Sequence, residues 1–106
     1  MELKDIIQRA KQVRVMYADL ERRKYGREWT REEIVQGFVG DIGDLMKISM
    51  AKEGVRDVPD ANIKLAHELA DCLWSIIIIA DKYGVGLEDS FTKTMDELEK
   101  RIKSEL

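Results

Sequence analysis

The chain has 106 residues, of which 37% are charged, and its formal net charge is -3. This length predicts a single domain, residues 1–106, with a core small enough that a partner subunit often completes its burial. The near balance of charge argues against a general nucleic-acid binder, which would carry a basic excess. Basic residues do cluster before the second helix, and a solvated surface is a simpler interpretation of them than a phosphate site: Arg14, Arg22, Arg23, Lys24, Arg27 and Arg31.

Cysteine usage and hydropathy predict a cytoplasmic protein. The single cysteine, Cys72, cannot form an internal disulfide, and the first residues, MELKDIIQRAK, lack the apolar core of a signal peptide. The most apolar run, Cys72 to Ala80, is shorter than the roughly 20 residues that cross a bilayer. We therefore expect no membrane span.

The first half of the chain predicts two helices. Apolar residues recur at three- and four-residue spacing from Leu3 to Leu20, which indicates an amphipathic helix. The period is lost over residues 21–29, which predicts a connection that contains Gly26. The segment from Thr30 to Glu33 has the form of a capping box, so the second helix should begin there. It is expected to run to about Lys52.

The second half predicts two more helices. Pro59 disfavours helix at Val58, and Asp60 is the expected N-cap of a third helix that stops at Gly84. A fourth helix should begin near Leu87 and carry one apolar face: Leu87, Phe91, Met95, Leu98 and Ile102. Four helices with short connections and no convincing strand predict an all-α, four-helix bundle-like domain.

Two acidic pairs lie within segments that otherwise resemble buried helix. On a helical wheel, Asp41 falls near the centre of the apolar stripe of the second helix, and Asp44 falls at its edge. Glu68 and Asp71 share one side of the third helix, which is apolar nearly all round and should be the most buried of the four. These four carboxylates are the candidate site.

Buried carboxylates are costly unless cations or strong hydrogen bonds compensate them. A lysine such as Lys47 or Lys64 is the simpler partner for one acid at a helix edge, whereas a metal ion better explains four. Oxygen ligands favour Mg²⁺ or Mn²⁺. Zinc is disfavoured because Cys72 is alone and His67 has no ligand-spaced partner. A ferritin-like di-iron centre would need Glu-x-x-His on two helices, and that motif is absent.

The segments GDIGDL, HELADCLWSIIIIADKYGVGLEDSF and TMDELEKRI resemble the MazG-like all-α nucleoside triphosphate pyrophosphohydrolases, over roughly residues 29–102. That family carries Glu-Glu-x-x-Glu and then Glu-x-x-Asp. Asp41 and Asp44 match the last two acids of the first element, and Glu68 and Asp71 match the second. Here Gly40 stands where the family often has an acid, and two aspartates replace glutamates. Because each is one methylene shorter, the helix must approach the ion more closely or a water must bridge.

The resemblance implies Mg²⁺-dependent cleavage of a nucleoside triphosphate between the α and β phosphates, in dimers or dimers of dimers. It implies catalytic and metal-binding roles for the four acids, with a carboxylate that takes the proton from the attacking water. Five further residues are candidates for substrate contacts: Trp29, Lys47, Trp74, Lys93 and Arg101.

Simpler structural roles remain open for several of these residues. Trp29 could pack as a hydrophobic staple, and Trp74 as a core residue. Met46, Ile48 and Met50 suggest a surface covered by another subunit. The alternative to an enzyme is a non-catalytic nucleotide-binding or protein-interaction module. DNA binding would require a steep salt dependence, which the acidic balance disfavours.

Overall fold

A computed structural model describes all residues from Met1 to Leu106. It contains four α-helices and no strand, which confirms the predicted all-α class and the order of elements. The helices are α1 (Leu3–Tyr25), α2 (Arg31–Lys52), α3 (Ala61–Lys82) and α4 (Leu87–Glu105). None of them combines the length and the apolar character that crossing a membrane would need.

The start of α2 is the capping box that the sequence predicts. The hydroxyl of Thr30 accepts a hydrogen bond from the Glu33 amide at 3.2 Å, and the Glu33 carboxylate accepts one from the Thr30 amide at 3.0 Å. The amides of Thr30 and Glu33, which have no acceptor inside the helix, are thereby hydrogen-bonded by side chains. The third helix begins directly after Asp60, as predicted, but Asp60 adopts left-handed backbone angles and its side chain makes no capping hydrogen bond.

The first helix is longer than predicted, and its second half buries a different face. It continues to Tyr25 and ends at Gly26, whose φ of +80° suits a residue without a side chain. Its buried positions are Ala10, Arg14, Ala18 and Glu21, whereas Tyr17 and Leu20 on the apolar stripe are about half exposed. The apolar period therefore misplaced the end of α1 and the inward face of its second half, whereas Ile6, Ile7 and Ala10 lie at the core as the period predicts.

The third helix is central, as its composition predicts. It packs along α2 for most of its length and more narrowly against α1. The core is a small cluster from three helices: Ala10 of α1, Ile34 of α2, and Ile77 and Ile78 of α3. Ile48 is also buried, so its assignment to a surface covered by another subunit is wrong, whereas Met46 and Met50 are exposed.

The fourth helix leaves the chain with a large open surface. No residue of α4 is buried, and 60% of Phe91 is exposed. The chain exposes 8299 Å², about 2,200 Å² more than the roughly 6,100 Å² of a compact monomer of this mass. Its radius of gyration is 16.9 Å, against about 13 Å for a compact domain of this length.

Candidate functional site

A cavity of about 350 Å³ opens between α1, α2 and α3, and two of the predicted acids line it. Asp41 reaches it from α2 and Asp71 from α3. The hydroxyl of Ser75, also on α3, donates a hydrogen bond of 2.8 Å to Oδ2 of Asp41. The helical-wheel prediction that Asp41 faces the bundle is thus confirmed, and the cavity brings together carboxylates that are 30 residues apart in sequence.

A second grouping shares Asp71 and lies along the exposed side of α3. The ligand atoms of His67, Glu68 and Asp71 all lie within 4.8 Å of one another. Nε2 of His67 is 3.2 Å from Oδ2 of Asp71, one helical turn away. His67 has no ligand-spaced partner in sequence, yet the structure places it beside two of the predicted acids.

None of the four predicted acids has a lysine or arginine partner. The ion pairs of the chain involve other carboxylates, so the pairing with Lys47 or Lys64 is not observed. Three of the four acids do act on one buried group, the thiol of Cys72. Burial raises the pKa of the Cys72 thiol, and the negative charges of Asp41, Glu68 and Asp71 raise it further. Uncompensated negative charge therefore surrounds this segment of α3.

Asp44 lies apart from these groups. It is exposed on α2, and it belongs neither to the cavity nor to the cluster with His67. The basic candidates Lys47, Lys93 and Arg101 are also exposed and outside the cavity. Within one chain, the structure thus places Asp41 and Asp71 at one cavity and Glu68 and Asp71 in one cluster with His67, and it leaves Asp44 out of both.

The two predicted tryptophans do line the cavity, together with Tyr17. Trp74 donates its indole N–H to the carbonyl of Ala10 at 3.0 Å, and its ring lies 5.9 Å from that of Tyr17 at a tilt of 57°. Trp74 therefore serves both as a core residue and as a wall. Trp29 packs its ring over Gly37 of α2, and it also lines the cavity.

An ion pair that the sequence pattern does not predict lies at the cavity. Both guanidinium Nη atoms of Arg14 donate to the carboxylate of Glu21, at 2.7 and 3.1 Å, and both side chains are buried. Arg14 is therefore not part of a solvated basic cluster. The other five members of that cluster contact neighbouring side chains: Arg22 pairs with Glu28, Arg23 with Asp19 and Arg27 with Glu33, while Lys24 lies over the ring of Tyr25 and Arg31 over that of Tyr83. The available signal was the spacing of Ala10, Arg14, Ala18 and Glu21, which places all four on one face of a helix.

The donor set suits a hard divalent cation. Asp41, Glu68 and Asp71 offer carboxylate oxygens from two packed helices, and such ligands favour Mg²⁺ or Mn²⁺. His67 adds an imidazole nitrogen, which suits Mn²⁺ better than Mg²⁺. Comparisons of this chain with protein-family models, with curated proteins and with solved structures find no match.

Proposed function

We propose that the chain is a Mg²⁺-dependent pyrophosphohydrolase that converts nucleoside or deoxynucleoside triphosphates, including non-canonical ones, to the monophosphate and pyrophosphate. One observation carries the proposal. Carboxylates from two facing helices, without a lysine or arginine partner, lie at the edge of a cavity walled by three aromatic side chains. The two acidic pairs that resemble the MazG-like pattern support the same reading.

In this proposal the acids bind the metal ion, and one of them acts as the general base. Asp41, Glu68 and Asp71 would hold the ion, and Mn²⁺ could replace Mg²⁺. The ion would neutralise phosphate charge and make an attacking water more acidic. A carboxylate of this group would accept the proton from that water. Asp44 keeps a proposed role as ligand or base through the resemblance alone.

The active form in this proposal is a homodimer or a dimer of dimers. The support is the open surface: an excess of about 2,200 Å² on each chain gives about 4,400 Å² for a pair, which is within the range of obligate homodimer interfaces. The apolar stripe of α4 is one exposed surface that a partner could cover, since Phe91, Met95 and Ile102 are all exposed. We place this assembly in the cytoplasm, where a free thiol such as Cys72 stays reduced.

A substrate screen tests the proposal. The protein is incubated with a panel of ordinary and modified triphosphates in the presence of Mg²⁺ or Mn²⁺, and pyrophosphate and monophosphate are measured together. We expect release of both from at least one triphosphate, and loss of release on addition of EDTA. Absence of pyrophosphate from every triphosphate with both ions would contradict the proposal.

The exposure of Asp44 and the shorter aspartates of α2 favour one alternative, a module that binds nucleotide or another protein without catalysis. A nucleotide-binding module would be stabilised against heat by a triphosphate and would leave that triphosphate intact. The same screen, followed by differential scanning fluorimetry, separates the two functions.

A further inference from the structure

The buried Arg14–Glu21 ion pair is the most unusual feature of the core. It is bidentate, and it occupies two of only ten buried positions in the chain. A buried ion pair contributes little net stability compared with well-packed apolar residues of the same volume, because both ions lose their hydration. We therefore expect this ion pair to hold neighbouring groups in position instead of adding stability.

The ion pair is connected to the cavity through one tryptophan. Oε1 of Glu21 accepts a hydrogen bond from the backbone amide of Trp29 at 2.9 Å, in addition to the one from Arg14. This bond fixes the connection between α1 and α2 just before the Thr30 cap. The pair also lines the cavity itself, where the buried Nε of Arg14 has no acceptor within the protein.

The ring of Trp29 is constrained from the side of α2 as well. A side-chain carbon at Gly37 would lie 2.9 Å from Cζ3 of the Trp29 ring, so this position admits only glycine while the ring stays where it is. The backbone anchor at Glu21 and the contact at Gly37 together define where the indole lies. Trp29 is nevertheless 42% exposed, so its remaining surface is accessible to a ligand.

We propose that the Arg14–Glu21 ion pair is a positioning device, which acts through Trp29 to shape the cavity for a planar aromatic ring, the base of the bound nucleotide. Indole and phenol rings bind flat rings by stacking, which is tolerant of base identity. The neighbouring Asp41 and Asp71 would then lie toward the phosphates and their ion. The identity of the ring as a nucleobase rests on the proposed function, whereas the positioning role does not.

Substitutions at two glycines of α2 give a matched test. Gly37→Ala displaces the Trp29 ring, whereas Gly43→Ala meets no atom within 4 Å, and both exchanges favour helix to the same extent. A third variant, Arg14→Leu combined with Glu21→Met, removes both charges together and with them the acceptor of the Trp29 amide. Replacing the pair as a unit avoids leaving one buried charge uncompensated.

Two measurements report on the cavity. Quenching of tryptophan fluorescence by nucleoside monophosphates in EDTA measures ring binding without the ion, and steady-state kinetics with Mg²⁺ separates KM from kcat. For Gly37→Ala and for the double variant we expect dissociation constants and KM values raised about tenfold with kcat less affected, since small misplacements of a binding group weaken substrate positioning. Gly43→Ala should match the unsubstituted protein in both.

The outcomes separate this inference from the proposed function. If no triphosphate is cleaved but monophosphates quench the fluorescence, and Gly37→Ala and the double variant both weaken that quenching while Gly43→Ala does not, the positioning role holds and the hydrolase does not. If triphosphates are cleaved and Gly37→Ala and the double variant keep the original KM and quenching, the positioning role is overturned. Absence of quenching by any monophosphate in the unsubstituted protein overturns it as well.

Discussion

Ser75 of α3 donates a 2.8 Å hydrogen bond to the Asp41 carboxylate of α2. This bond links Asp41 to the helix that carries Glu68 and Asp71. The position of Asp41 relative to Asp71 is therefore set by the packing of α2 on α3 together with this hydroxyl. A site whose carboxylates are held by the scaffold needs little rearrangement to receive an ion.

Replacing Ser75 by alanine should weaken the site. A hydrogen bond to a charged group contributes about 1.5–3 kcal/mol, so we expect kcat/KM to fall roughly ten- to a hundredfold if the bond is fully used in turnover. Ser49→Ala, at an exposed position of α2, is the control. Equal kinetics for the two variants would show that the Ser75 hydroxyl does not position Asp41.

Asparagine substitutions compare two acids of the predicted set. Asp71 belongs to both the cavity and the cluster with His67, whereas Asp44 is exposed and belongs to neither. We expect Asp71→Asn to lower Mn²⁺ or Mg²⁺ affinity about a hundredfold and to abolish turnover with the helical circular dichroism intact, and Asp44→Asn to change both much less. Calorimetric titration measures the affinities. A loss as large at Asp44 would place that acid at the ion after all, through a partner subunit or a rearrangement of α2.

The apolar stripe of α4 should control assembly. Phe91→Glu places a charge on the stripe, and Ser104→Glu places the same charge on the opposite face of the same helix. Sedimentation velocity should show a dimer or tetramer for the unsubstituted chain and for Ser104→Glu, and smaller species for Phe91→Glu. A monomeric unsubstituted chain at tens of micromolar would contradict the proposed assembly.

The cap of α2 predicts a pH dependence of stability. The hydrogen bond from Arg27 and the Thr30 amide lower the pKa of Glu33 to about 2. Because the pKa of a folded-state carboxyl lies below its unfolded value near 4.3, this contribution is present above that value and is lost as the pH falls toward 2. Glu33→Gln should therefore lower the melting temperature at neutral pH and have little effect near pH 2. Glu32→Gln, at the adjacent exposed position, should show no such trend, and parallel curves for the two variants would argue against the cap.

The helices of this chain were predictable where local chemistry fixes them. The capping box from Thr30 to Glu33 marks the start of α2, and the glycines Gly54 and Gly84 lie two residues beyond the ends of α2 and α3. All of these signals depend on residues close in sequence. The inward face of the second half of α1 was not predictable from hydropathy, because a paired arginine and glutamate are buried there in place of the apolar side chains of the period. Only tertiary packing reveals that Arg14 meets Glu21 away from water.

Only the part of the site that depends on local sequence was predictable. The helical wheel places Asp41 inward, since the neighbouring apolar side chains of its own helix define that direction. Whether Asp44 reaches the same site as Asp41 depends on the rotation of α2 against α3 and on any second subunit that packs there. The sequence of one helix fixes neither. The hydrogen bond from Ser75 to Asp41 was not predictable, because a single serine in a helix most often faces solvent and gives no indication of its partner.

The absence of buried residues in α4 has a consequence for how the protein folds. Most of the stability of a helix in a protein comes from the packing of its amphipathic face, so α4 depends on what it packs against. If that partner is a second chain, helix content becomes a function of protein concentration, and dilution should lower both the ellipticity at 222 nm and the melting temperature. Folding of the last fifth of the chain is then a bimolecular event, governed by mass action rather than by the chain's own core.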